Sequence, residues 1–144
     1  MADKKVSVQA LASKKALQIL IALLFITLGI IGFSSNKGIG ASLSNELSKM
    51  FGNGDQELLL YVISTVELLC GVFLLAALFV KAIPANIVKL SMTAVWIVWI
   101  AIIVVLDILT VDFGKLEGVR WFVWLEQIVM HLIVLAGILK VQEN

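Results

Sequence analysis

Glu67, Glu126 and His131 stand inside stretches otherwise built almost wholly of apolar residues, and Asp107 closes another such stretch. In hydrocarbon an ionisable side chain costs roughly 2.5–3.5 kcal/mol at mid-span, so Glu67, Glu126 and His131 are each expected to turn inward, find a partner and mark a ligand or proton site, with Asp107 in support. Glu67 keeps Ser64, Cys70 and Gly71 on its own face at helical spacings of three and four. Glu126 shares a face with Phe122, Met130, Ile133 and Gly137, the glycine allowing close contact. Both carboxyls are therefore expected to point inward, sharing one proton or accepting a hydrogen bond, with Arg120 as an alternative counter-ion for Glu126. His131 lies about 140° around the helix from Glu126, five positions earlier in the chain, and needs a partner of its own. That partner is another helix, a second subunit or a bound molecule. His131 shares a face with Trp124, Gln127 and Leu135, and Gln127 is its nearest candidate. Thr93, Trp96, Ile100 and Asp107 form a further inward stripe, with Trp99 beside it; Asp107, in the last turn, is expected to reach water. Trp96 and Trp99 either wall an apolar ligand pocket or pack with their indole N–H groups bonded to nearby acceptors.

The elements that carry these residues follow from composition. Hydrophobic residues make up 61% and charged residues 15% of the 144-residue chain, against about 45–50% and about 25% in soluble domains. Apolar runs cover residues 16–33, 58–80, 87–109 and 120–139 of a single integral membrane domain, 1–144. Crossing a hydrocarbon core takes about 20 apolar residues of helix. Backbone amides there must be satisfied within the segment, and the runs lack the alternation of barrel strands. The expected fold is all-α, a four-helix transmembrane bundle. The first run follows Lys4, Lys5, Lys14 and Lys15 as a secretory signal would, but it is longer than a typical signal core and lacks a small-residue cleavage pattern. It reads as a retained helix, with Gly29 and Gly32 letting a neighbour approach. By depth, Glu67 falls about 14 Å, Glu126 about 9 Å and His131 about 16 Å below the outer surface.

Between the first two spans, Ile39, Leu43, Leu47, Met50 and Phe51 recur at helical spacing opposite Ser42, Asn45, Glu46 and Lys49. This predicts an amphipathic outer-loop helix that lies on the membrane or caps the bundle. Gly52-Asn53-Gly54 ends it, Asp55 is placed to cap the second span, and Pro84 suits the first turn of the third. Seven basic residues (Lys4, Lys5, Lys14, Lys15, Lys81, Lys89, Lys140) fall on one side and four (Lys37, Lys49, Lys115, Arg120) on the other. That asymmetry puts both termini in the cytoplasm.

A net charge of +1 leaves no cationic excess for nucleic acid. One cysteine and one histidine exclude an intrachain disulfide, a zinc site and a CxxC couple. The interval from Glu126 to His131 is not the Glu-x-x-His of a diiron site. No catalytic residue or metal ligand is expected, and the sequence names no cofactor. The segment from Leu24 to Phe33 (LFITLGIIGF), followed by Glu67 to Leu75 (ELLCGVFLL), resembles the DoxX-like membrane proteins. These are small four-helix proteins with a glycine-containing end to the first helix and an E-x-x-x-G-x-x-L segment in the second. The resemblance implies a bacterial inner-membrane protein, sometimes partnered with redox enzymes or quinol chemistry, with Glu67 and Gly71 at the matching functional positions. The chain departs from that family in offering Lys14 and Lys15 before the first helix and then only Lys37.

Three functions are weighed, the first being the favoured reading and the other two its alternatives. One is a non-catalytic protein holding a partner subunit or apolar small molecule in its bundle, surrounded by the lipid bilayer and either self-associating or bound to another membrane protein. The second is a proton-coupled transporter or channel using the buried carboxylates. The third is a membrane subunit of a quinol-linked oxidoreductase, with Trp96, Trp99 and His131 near the quinone ring.

Overall fold

The computed structural model describes residues 2–52 and 54–143; the side chains of residues 2–8 and 11, and so the charges of Lys4 and Lys5, lie outside the described residues, as does Asn53. All regular elements among the described residues are helices: α1 (Ala2–Ser35), α2 (Ile39–Met50), α3 (Gln56–Phe79), α4 (Ala85–Ile102) and α5 (Val119–Gln142). A π-helical segment, Ile103–Leu109, continues α4, and a short 3-10 turn at Phe113–Lys115 precedes α5. Four segments are long and apolar enough to cross a membrane: Ala12–Ser35, Gln56–Phe79, Ala85–Leu109 and Val119–Gln142. They make this chain an all-α bundle with the composition of a multi-pass membrane protein. α1 spans 34 residues, or about 51 Å at 1.5 Å per residue, so its first turns project beyond a hydrocarbon core of about 30 Å.

The spans form a closed ring in which α1 packs on α3, α3 on α4, α4 on α5 and α5 back on α1. Three glycines govern the α1–α3 seam. A Cβ at Gly29 would lie 2.8 Å from Leu68 N and Ser64 O, and one at Gly71 would lie 2.7 Å from Ala22 O and Ile26 N. A Cβ at Gly32 would collide with Ser64 Oγ. With no side chain there, the two backbones touch, the arrangement by which helices associate in lipid without a hydrophobic driving force. Gln18 Nε2 adds a hydrogen bond to Leu74 O across the same seam at 2.9 Å. Gly137 plays no such part, since its nearest neighbours would stand at 3.7 and 3.8 Å, an ordinary contact.

α2 caps the end of the bundle, packing on α1, α3, α4 and the π segment. Its buried residues are Gly40, Ala41, Leu43, Ser44 and Ser48, whereas Met50 and Phe51 are exposed. The inward face is thus smaller and more polar than the apolar spacing predicts. Asp55 caps α3 by accepting from Leu58 N at 3.1 Å, and Pro84 sits one residue outside α4 as its cap. The core gathers Ile21, Ala22, Phe25, Leu74, Val95, Trp99, Ile102 and Ile138 around the bundle axis. The lone cysteine, Cys70, is free and buried there.

Candidate functional site

Two polar sites lie within the spans. The first belongs to α3, which buries Ser64, Glu67, Cys70 and Gly71 along one face. Glu67 has no accessible surface. Among the described residues, neither of its carboxyl oxygens, nor the buried Ser64 hydroxyl, has a hydrogen-bond partner. A buried polar group without a partner costs about 1–3 kcal/mol, more when charged, so the fold carries Glu67 at a cost. α2 closes directly over it: a Cβ at Gly40 would lie 3.3 Å from Glu67 Oε2. A side chain there would press the carboxyl back by a few tenths of an ångström.

The second site is a clamp on Asp107, which is fully buried rather than wet. Three side chains of one α5 face converge on it at spacings of three and four. Trp124 Nε1 donates to its main-chain oxygen at 2.9 Å and Gln127 Nε2 to Oδ1 at 2.7 Å, while His131 Nδ1 meets Oδ2 at 2.5 Å. The π segment makes this possible. Continuing as an α-helix, residue 107 would fall about 80° around the axis from Trp99; the wider turn, in which Thr110 N bonds Val105 O, rotates Asp107 back toward the bundle. Trp99 supports the imidazole from the other side. Its Nε1 donates to His131 O at 2.8 Å, and its ring meets the His131 ring edge-on at 5.5 Å. A carboxylate on Nδ1 fixes the imidazole's orientation.

Several expectations from the sequence are corrected here. Glu126 is exposed on the outer face of α5, with Phe122, Met130 and Ile133, and Arg120 is exposed above it. The reason is that Asp107 draws the Trp124–Gln127–His131 face inward, which turns Glu126 away from the ring and from Glu67. Trp96 is 38% exposed and Trp99 only 1%, so the inward stripe of α4 is Met92, Val95, Trp99 and Ile102 and not the one through Trp96. The two indoles therefore do not wall one pocket. Trp99 packs on Phe25 at a ring separation of 6.0 Å as well as on His131.

α2 contacts both α3 and the π segment, the elements that carry Glu67 and Asp107. On the same end, Trp121, Trp124 and Phe113 stack edge to face, an aromatic cluster of the kind that gathers at membrane interfaces. Among the described residues no group of three or more His, Cys, Asp or Glu is placed to hold a metal ion. Asp107 is the site residue whose burial sequence reasoning missed. The signal was present in the three hydrogen-bonding residues on one α5 face, which require an acceptor at their depth. No family model, curated protein or solved structure matches this chain.

Proposed function

We propose that this protein is a small multi-pass membrane carrier that couples solute movement to protons through Glu67 and the Asp107–His131 pair. The observation that carries the reading is Glu67: fully buried, without a partner among the described residues, on a membrane-spanning helix and beneath a capping helix. Such a carboxyl takes up and releases a proton, a cation or a donor group when the cap moves, and intramembrane ionisable residues mark proton relays and ion pathways. Asp107 and His131 add a second proton-exchanging couple. The basic residues favour both termini in the cytoplasm. The resemblance of residues 24–33 and 67–75 to DoxX-like proteins favours a bacterial inner membrane and the same Glu67 position.

The test uses vesicles loaded with a pH-sensitive dye and challenged with a panel of small carboxylates, amines and alcohols. At least one compound is expected to drive a lumenal pH change, lost by more than about tenfold in Glu67→Gln and kept in Glu126→Gln. A panel with no response, or a response untouched by Glu67→Gln, overturns the reading.

A second reading, non-catalytic association with a partner subunit, is favoured by Glu126. This carboxyl stands on an exposed apolar helix face, a costly position against lipid. A second copy packed through α5 about a two-fold axis would bring the two Glu126 side chains together at one depth, where one carboxyl donates to the other.

A further inference from the structure

We infer that the end of the bundle away from α2 holds a binding site for an amphiphile with an anionic headgroup, a function separate from the proton chemistry of Glu67. There the spans part to leave a cavity of about 540 Å³ among α1, α4 and α5. Its walls divide by chemistry. Val88, Met92 and Val141 form an apolar floor, while Lys14 and Lys89 place ammonium groups at the rim from two different helices. Gln18, whose amide bonds Leu74 O, holds the side of the cavity in place. The volume falls within the roughly 300–1,000 Å³ of small-molecule sites, which suits a headgroup with the first part of a chain better than a bare ion. Lysine stems lie along apolar surface and present their charge at the membrane edge, the arrangement that collects anionic lipid headgroups.

The charges around the cavity leave this positive field in place. Lys14 Nζ is bonded to the main-chain oxygen of Glu143, an acceptor that carries no full charge. The Glu143 carboxylate is occupied by Lys140 at 2.6 Å. Lys140 holds that carboxyl below its ordinary value of 4.5, with Lys14 adding a smaller pull. Lys15 and Lys81 lie at the same end but do not line the cavity. A phosphate or carboxylate headgroup near Lys14 and Lys89, with its chain over Met92, matches the charged and apolar parts of the lining.

The experiment is native mass spectrometry of the full chain in neutral detergent, equilibrated with equal amounts of phosphatidylglycerol and phosphatidylcholine of the same chain length. Phosphatidylglycerol is expected to be retained several-fold over phosphatidylcholine, and Lys14→Gln and Lys89→Gln are each expected to lower that ratio about fivefold. Lys15→Gln and Lys81→Gln should leave the ratio unchanged, and the phosphatidylcholine signal in the same spectra reports an intact protein. Persistence of bound phosphatidylglycerol against millimolar inorganic phosphate supports the inference, and its displacement would assign the site to a free anion and overturn it. Equal retention of the two lipids, or equal losses in Lys15→Gln and Lys14→Gln, overturns it. Because the readout is lipid retention, its failure leaves the result of the vesicle experiment on Glu67 untouched.

Discussion

Asp107 accepts or shares three hydrogen bonds from α5, so its replacement shows what the clamp contributes. Asp107→Asn keeps an oxygen for Gln127 and an amide for His131 and is expected to cost about 1–3 kcal/mol. Asp107→Ala strands both partners in the interior and is expected to cost about 3–5 kcal/mol. Unfolding in mixed micelles measures both, and a double-mutant cycle with His131→Gln isolates the pairwise coupling. Equal stability of Asp107→Ala and the wild type would mean that the clamp holds nothing. Part of this site is legible in the sequence: the face shared by Trp124, Gln127 and His131, and His131's need for a partner away from Glu126, both follow from spacing. The identity of the partner does not, because nothing in Ile103 to Leu109 distinguishes a π turn from an α turn and residue 107 changes face between them.

At the scale of elements, the α1–α3 seam and the loose side of α5 make opposite predictions for the same substitution. Gly71→Ala puts a methyl group 2.7 Å from the α1 backbone and is expected to destabilise by about 1–3 kcal/mol as the helices separate. Gly137→Ala meets only side chains at ordinary distance and is expected to stay within about 0.5 kcal/mol of wild type. Thermal melting in detergent distinguishes them, and a fully tolerated Gly71→Ala would mean that the seam is wider than drawn here. The four spans and the loop helix could be located from apolar runs, because length and composition suffice for that. Which face of each span turns inward could be read for α3, where Ser64, Glu67, Cys70 and Gly71 contrast with Leu, Val and Phe. It was misread for α4, where Thr93 and Asp107 drew the inward stripe to Trp96 and the wholly apolar stripe through Trp99 is the buried one. In lipid the outside of a helix is as apolar as its inside, so hydropathy loses the contrast it has in water.

Taken as a whole, the molecule has a well-seated pair, α1 and α3, and a more exposed fourth span whose buried residues are His131, Ile138 and Val141. That exposure is the surface that the proposed two-fold packing through α5 would use. Glu126→Cys in native membranes, treated with a mild oxidant, is expected to give a disulfide-linked dimer, and the absence of one from both Glu126→Cys and Met130→Cys removes the two-fold packing. The experiment is simplified by a detail of the core. Cys70, the chain's sole thiol, is sealed between helices, so the natural protein is already silent toward maleimides and oxidants added from water. Reporter groups can therefore be attached one at a time along α2 or α5 without first engineering the background, and movement of the cap can be followed in the otherwise native chain.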